Sequence, residues 1–127
     1  LEAQRAEDLA TVWFDGQYAA QLASKVPGIG DRYQVTTGGS HVFQATDILA
    51  EHQRLRATYG SQDHPVVLLK SIDYGKRQVV NGQFHWVTFA LGTFADAASV
   101  TAWCDANFGG LPQAERENQC AVRRLEP

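Results

Sequence analysis

Methionine is absent from the 127 residues, cysteine occurs only twice, and no apolar run approaches the roughly 20 residues that a membrane-spanning helix needs. Residues Leu1–Trp13 carry Glu2, Arg5, Glu7 and Asp8, too much charge for the apolar core of a secretory leader. The missing initiator points to a piece of a longer protein, with any anchor or signal lying upstream. Basic residues are also too few to dominate: 11 Lys and Arg stand against 14 Asp and Glu, a formal net charge of −3. Such a chain has no overall field to neutralise a phosphate backbone, so nucleic acid is excluded as the expected partner.

Catalytic signatures are missing as well. There is no nucleophile elbow, P-loop or dinucleotide-binding glycine pattern, and Gly28, Gly30, Gly38 and Gly39 lack the Lys and Ser/Thr that would grip phosphate. His41, His52, His64 and His85 never fall at metal-ligand spacing, and no cofactor is expected. Asp47, Glu51, Asp73, Asp96 and Asp105 occupy helix starts or turns, where capping accounts for most of them. His52 lies on an apolar helical stripe, the setting of a hydrogen-bonded core imidazole. A small enzyme would need a polar pocket holding a strongly shifted titratable group, and nothing in the pattern points to one.

What is present is enough to fold. Hydrophobic residues make up 44% of the chain and charged residues 20%, in the globular range, and a domain this long buries roughly two thirds of its unfolded surface. Ala3, Ala6, Leu9, Ala10 and Trp13 recur at helical spacing, predicting a helix over 1–13 that Asp15-Gly16 ends. Gln17 to Ser24 alternates as a strand, with Tyr18, Ala20 and Leu22 on one side and Gln17, Ala19 and Gln21 on the other. Residues 26–45 hold Pro27 and four glycines and read as an insertion, with Tyr33–Thr36 and His41–Phe43 pairing as a hairpin around Gly38-Gly39.

A helix from Thr46-Asp47 to Tyr59 follows, carrying Ile48, Leu49, His52 and Leu55 on its stripe. Val66–Leu69 is a short apolar strand, and 73–82 is a polar connection turning at Gly75 and Asn81-Gly82. Phe84–Leu91 alternates again, with Val87, Phe89 and Leu91 opposite Trp86, Thr88 and Ala90. Phe94–Phe108 reads as a second helix, Leu111–Gln119 as a loop, and Cys120–Leu125 as a last strand. Between the N-terminal helix and the end of the chain the order is β-α-β-β-α-β. This predicts a single α+β domain over 1–127, a ferredoxin-like four-stranded antiparallel sheet with two helices on one face.

The other face would then be open for recognition. Gln21 on the first strand, Trp86 and Thr88 on the third and Arg123 on the fourth are the candidate ligand-binding side chains. Aromatic faces offer large contact area at little entropic cost, and Arg supplies a rigid fork of donors. The competing reading places Trp86 in the core, under the insertion or the N-terminal helix. Cys104 and Cys120 enclose a loop of about 15 residues, for which a disulfide would contribute ~3 kcal/mol; buried free thiols are the alternative.

Three stretches carry a resemblance: Gln21–Lys25 followed by Gly28; Asp47–Arg56; and Trp86–Thr88 with Phe94, Trp103-Cys104 and Cys120–Leu125. From about Trp13 onward the chain resembles the extracytoplasmic C-terminal domain of actinobacterial envelope proteins, some of them serine/threonine protein kinases. That domain is similar in layout to the SPOR repeat, echoed here by His85–Phe94. The chain departs from that repeat in its long insertion and around Cys120–Leu125. The resemblance implies a non-catalytic binding or sensor domain in the cell envelope, held by an upstream membrane anchor. Its implied partner is peptidoglycan or another wall glycan, alternatively another envelope protein. It further implies an oxidising compartment, in which Cys104 and Cys120 pair as a disulfide.

Overall fold

A computed structural model describes residues 1–127. Helix α1 (Glu2–Leu9) precedes strand β1 (Gln17–Lys25), helix α2 (Ala45–Tyr59) and strand β2 (Val66–Lys70). The two-residue strands β3 (Val79–Val80) and β4 (Gln83–Phe84) form a separate hairpin before β5 (Trp86–Ala90). Helices α3 (Ala97–Phe108) and α4 (Gln113–Gln119) then lead to β6 (Ala121–Leu125). The main sheet has the order β2-β5-β1-β6, and every neighbouring pair is antiparallel. The domain is therefore mixed α+β, built on a four-stranded antiparallel sheet.

Local chemistry explains the helix starts. Asp47 accepts from the Gln44 backbone N–H at 2.9 Å, satisfying a donor that the first turn of α2 leaves free. Asp96 does the same for Ser99 N at 2.8 Å and opens α3. On α3 the buried residues are Val100, Cys104 and Phe108, spaced by four, so one stripe faces the sheet. The Asn81-Gly82 turn between β3 and β4 has positive φ at both residues, 49° and 75°, the backbone that a tight two-residue hairpin requires.

Coverage of the sheet differs from the expected single-sided arrangement. On one face Ala20, Ala23, Val66 and Ala90 pack with Leu55 of α2 and with Val100, Cys104 and Phe108 of α3. The opposite face carries Ala19, Val67, Leu69, Val87, Phe89 and Leu125, and it is roofed by Leu9, Val12, Phe14 and Tyr74. All five residues of β5 are buried in consequence. Helix α1 also lies beside β2, where Asp8 Oδ2 accepts from Leu68 N at 2.8 Å and so occupies an edge donor.

Three local expectations change. The predicted helix over 1–13 stops at Leu9, and Trp13 is 78% exposed. The insertion forms no hairpin ladder: a turn closes from Thr36 to Ser40, but only one bridge, Gly30 to Val42, links its arms. The insertion is held instead by side chains, with Phe43 in the core and buried Lys25 paired to Asp31 at 3.1 Å and to Glu51 at 3.4 Å. The Leu111–Gln119 loop contains α4, which follows directly from Pro112 and ends at Cys120. The bond between Cys104 and Cys120 is formed, across a Cα separation of 5.6 Å, and ties α3 to the start of β6.

Candidate functional site

The register of β1 against β5 decides which polar side chains share a face. Gln21 pairs with Phe89 and Ser24 with Val87, across a shift between Gln21 and Ala23. Strict alternation would put Gln21 and Ser24 on opposite faces, three positions apart; the β-bulge puts both on the Val87–Phe89 face. Arg123 pairs with Ala19 and faces the same way. These three side chains meet at a cleft of about 210 Å³, where the roof over this face is incomplete.

The far wall of the cleft is the loop 71–78, and its shape is held by one side chain. Buried Ser71 donates its hydroxyl to Gln78 O at 2.7 Å and accepts from His85 N at 2.9 Å, closing the loop at its base. Gly75 N donates to Glu126 O at 3.1 Å and fastens the tip to the chain beyond β6. Tyr74 packs edge-on against Phe89, with ring centroids 5.4 Å apart. Burial raises its phenol to about 12, so it stays a neutral hydroxyl. Between wall and floor, Ser24 Oγ lies 3.0 Å from His85 Nδ1, and burial lowers the His85 pKa toward the neutral imidazole.

Charge is segregated here. Lys76, Arg77, Arg123 and Arg124 line the cleft, and no Asp or Glu does. Arg124 is already engaged, donating to Gly16 O, pairing with Glu126 and lying over the Tyr18 ring. Lys76, Arg77 and Arg123 have no carboxylate partner; Arg77 and Arg123 reach only backbone carbonyls. Asp73, the nearest acidic residue in the sequence, is turned away and held by Arg5 and by Lys70 N.

Of the four side chains singled out from the sequence, Gln21 and Arg123 come together in this cleft. Trp86 and Thr88 do not, and their placement on an open face is corrected. Trp86 is 7% exposed and packs with Phe43, Ile48 and Leu68. Thr88 is 2% exposed and lies on the α2 side, 3.0 Å from His52 Nδ1. The core reading of Trp86 under the insertion is the one that holds. The residues missed were Ser24, Ser71, Lys76, Arg77 and His85. Ser24 was hidden by the bulge. The adjacent Lys76-Arg77 pair was a visible signal, but nothing local located it opposite Arg123.

A second constellation has an enzyme-like order but no access. Thr88, His52 and Asp8 run in series, with His52 Nε2 4.0 Å from Asp8 Oδ2. His52 is fully buried and its Nε2 has no hydrogen-bond partner. Burial pushes its pKa down to about 4, against the pull of Asp8, so the ring is neutral and part of the core. No family model matches the chain, nor does any curated protein or solved structure.

Proposed function

We propose that this is a non-catalytic binding or sensor domain of the cell envelope, which recognises peptidoglycan or another wall component in the cleft beside Gln21 and Arg123. The observation that carries the reading is a polar concavity on an otherwise roofed sheet face, with Gln21, Ser24 and Arg123 turned into it. Its fixed wall, clamped by Ser71, gives a preformed surface that needs little ordering on binding. The strand order β2-β5-β1-β6 is the one expected of a ferredoxin-like, SPOR-like layer, which supports that finer fold reading. The Cys104–Cys120 bond is consistent with an oxidising, extracytoplasmic location. No helix is long and apolar enough to cross a membrane.

Sedimentation with purified sacculi tests the proposal. The domain should pellet with sacculi, and Gln21→Ala/Arg123→Ala should reduce the pelleted fraction severalfold while leaving the circular dichroism unchanged. Equal pelleting of both proteins, or none of either, would overturn it.

A second reading is favoured by one observation, the unequal protection of the two sheet edges. Asp8 covers an edge donor of β2, whereas β6 pairs only with β1 and its outer edge is free. Such an edge can take a strand from another envelope protein or a second copy of this chain. Sedimentation velocity across a concentration series separates the readings, because association through β6 would raise the sedimentation coefficient.

A further inference from the structure

The cleft's lining restricts the chemistry of what it takes. Sugar rings are usually held by an exposed aromatic face, which supplies contact area at low entropic cost. No such face is available here. The two apolar liners are Val87, which is buried in the floor, and Tyr74, whose ring is spent against Phe89. What the cleft offers instead is three cations without counter-charges, in a chain whose net charge is −3. Eleven Lys and Arg are spread over the chain, and six of them form ion pairs with Asp or Glu: Arg5, Lys25, Arg54, Lys70, Arg116 and Arg124. Of the remaining five, Lys76, Arg77 and Arg123 converge on this one concavity from two elements far apart in sequence.

Resting on the reading of the cleft as a wall-binding site, we infer that its ligand is an oxyanion carried by the wall polymer, a carboxylate or a phosphate, and not the neutral sugar backbone. Arg123 supplies a planar fork of donors from β6, and Lys76 and Arg77 supply charge from the opposite wall. Gln21 and Ser24 add neutral polar groups at the floor, where a bound oxygen would be shielded from water. Fixing the loop at Ser71 and at Gly75 holds the two cationic sides apart without any intervening acid, and an oxyanion between them relieves their mutual repulsion. Carboxylates occur on the stem peptides of peptidoglycan and phosphates on glycerol-phosphate wall polymers, so both sources present the same chemistry.

Calorimetric titration of the whole chain separates the sources from each other and from the broader reading. The probes are a soluble muropeptide with free stem carboxylates, the same muropeptide amidated, poly(glycerol phosphate), and a neutral N-acetylglucosamine oligomer. Binding of the muropeptide but not its amide assigns the carboxylate; binding of poly(glycerol phosphate) assigns the phosphate. In either case Arg123→Ala should weaken binding about 10- to 100-fold and Arg123→Lys less. Raising the salt from low to physiological strength should weaken it further. Binding of the neutral oligomer at equal strength to wild type and Arg123→Ala overturns the inference and leaves wall recognition standing. Failure of all four probes while sacculi still pellet the protein also overturns it, and failure of sacculi too overturns both. Unchanged thermal midpoints for the variants exclude misfolding as the cause of a loss.

Discussion

The two halves of the sheet differ in composition and in fate: β2 and β5 are largely apolar, whereas β1 and β6 carry Gln17, Gln21, Ser24, Arg123 and Arg124. The β2–β5 half is sealed: helices and the insertion cover one face, Leu9, Val12, Phe14 and Tyr74 cover the other, and Asp8 guards the edge. The β1–β6 half is sealed on the helix side, but on the other face only at Ala19 and Leu125. Its other face ends in a cationic cleft, its edge is free, and a disulfide anchors the strand at one end. The lesson is that strand composition and cover from elsewhere in the chain are matched. Segments remote in sequence cover the apolar half and stop short of the polar positions of the other.

Substitutions that break the sealed half should cost most. Phe89→Ala removes a fully buried ring between Tyr74 and the sheet, and a loss of about 3–5 kcal/mol is expected from denaturant unfolding. A loss under 1 kcal/mol would mean that the roof over this face is loose. Next comes the anchor of the open half: Cys104→Ala/Cys120→Ala should lose ~3 kcal/mol, with amide exchange quickening first in α4 and β6. Uniform quickening across β2 and β5 would show instead that the two halves unfold as one unit.

His52 adds a pH dependence to the sealed half. Its folded pKa of about 4 lies below the ordinary 6.5, so in the interval between them the unfolded chain binds the proton and the folded chain does not. The contribution is therefore complete above 6.5 and is lost as the pH falls toward 4, by about 3 kcal/mol. His52→Gln should flatten the stability profile over that interval, and an unaltered slope would assign the effect to other groups.

Smaller effects are expected at the two edges. Asp8→Ala leaves Leu68 N without its acceptor, and a loss of about 1–2 kcal/mol is expected, with a rise in self-association as β2 opens. Light scattering that stays flat would mean α1 blocks the edge sterically without its carboxylate. Least affected is the cleft: Arg123→Ala should change stability by no more than ~0.5 kcal/mol, since its only hydrogen bond is to its neighbour's carbonyl. A larger loss would make Arg123 structural and remove it from the ligand site.

Much of the architecture was legible because it rests on local rules. Alternation located β1 and β5, the spacing of Val100, Cys104 and Phe108 located α3, and Asn81-Gly82 marked its turn. The site was half legible. Gln21 and Arg123 were found as polar residues on strands, and period-two alternation also separated Trp86 and Thr88 correctly from Val87 and Phe89. Alternation sorts residues into two sets without saying which set faces the solvent. Amphipathic character points Trp86 and Thr88 to the open side, yet Thr88 is satisfied by His52 and Trp86 by the insertion. Helix α4 has no such signal, because residues 113–119 are polar but for Ala114, with no stripe to reveal a helix fixed at its end by the disulfide.

The order of the main elements and the helix caps follow from neighbouring residues, because hydrogen-bond periodicity and chain propensity act over a few positions. The bulge that turns Ser24 toward Gln21, the folding of 71–78 against β6 and the meeting of Lys76 and Arg77 with Arg123 were decided only in three dimensions. Those features depend on contacts between residues dozens of positions apart, whose free energy exists only once the sheet has formed.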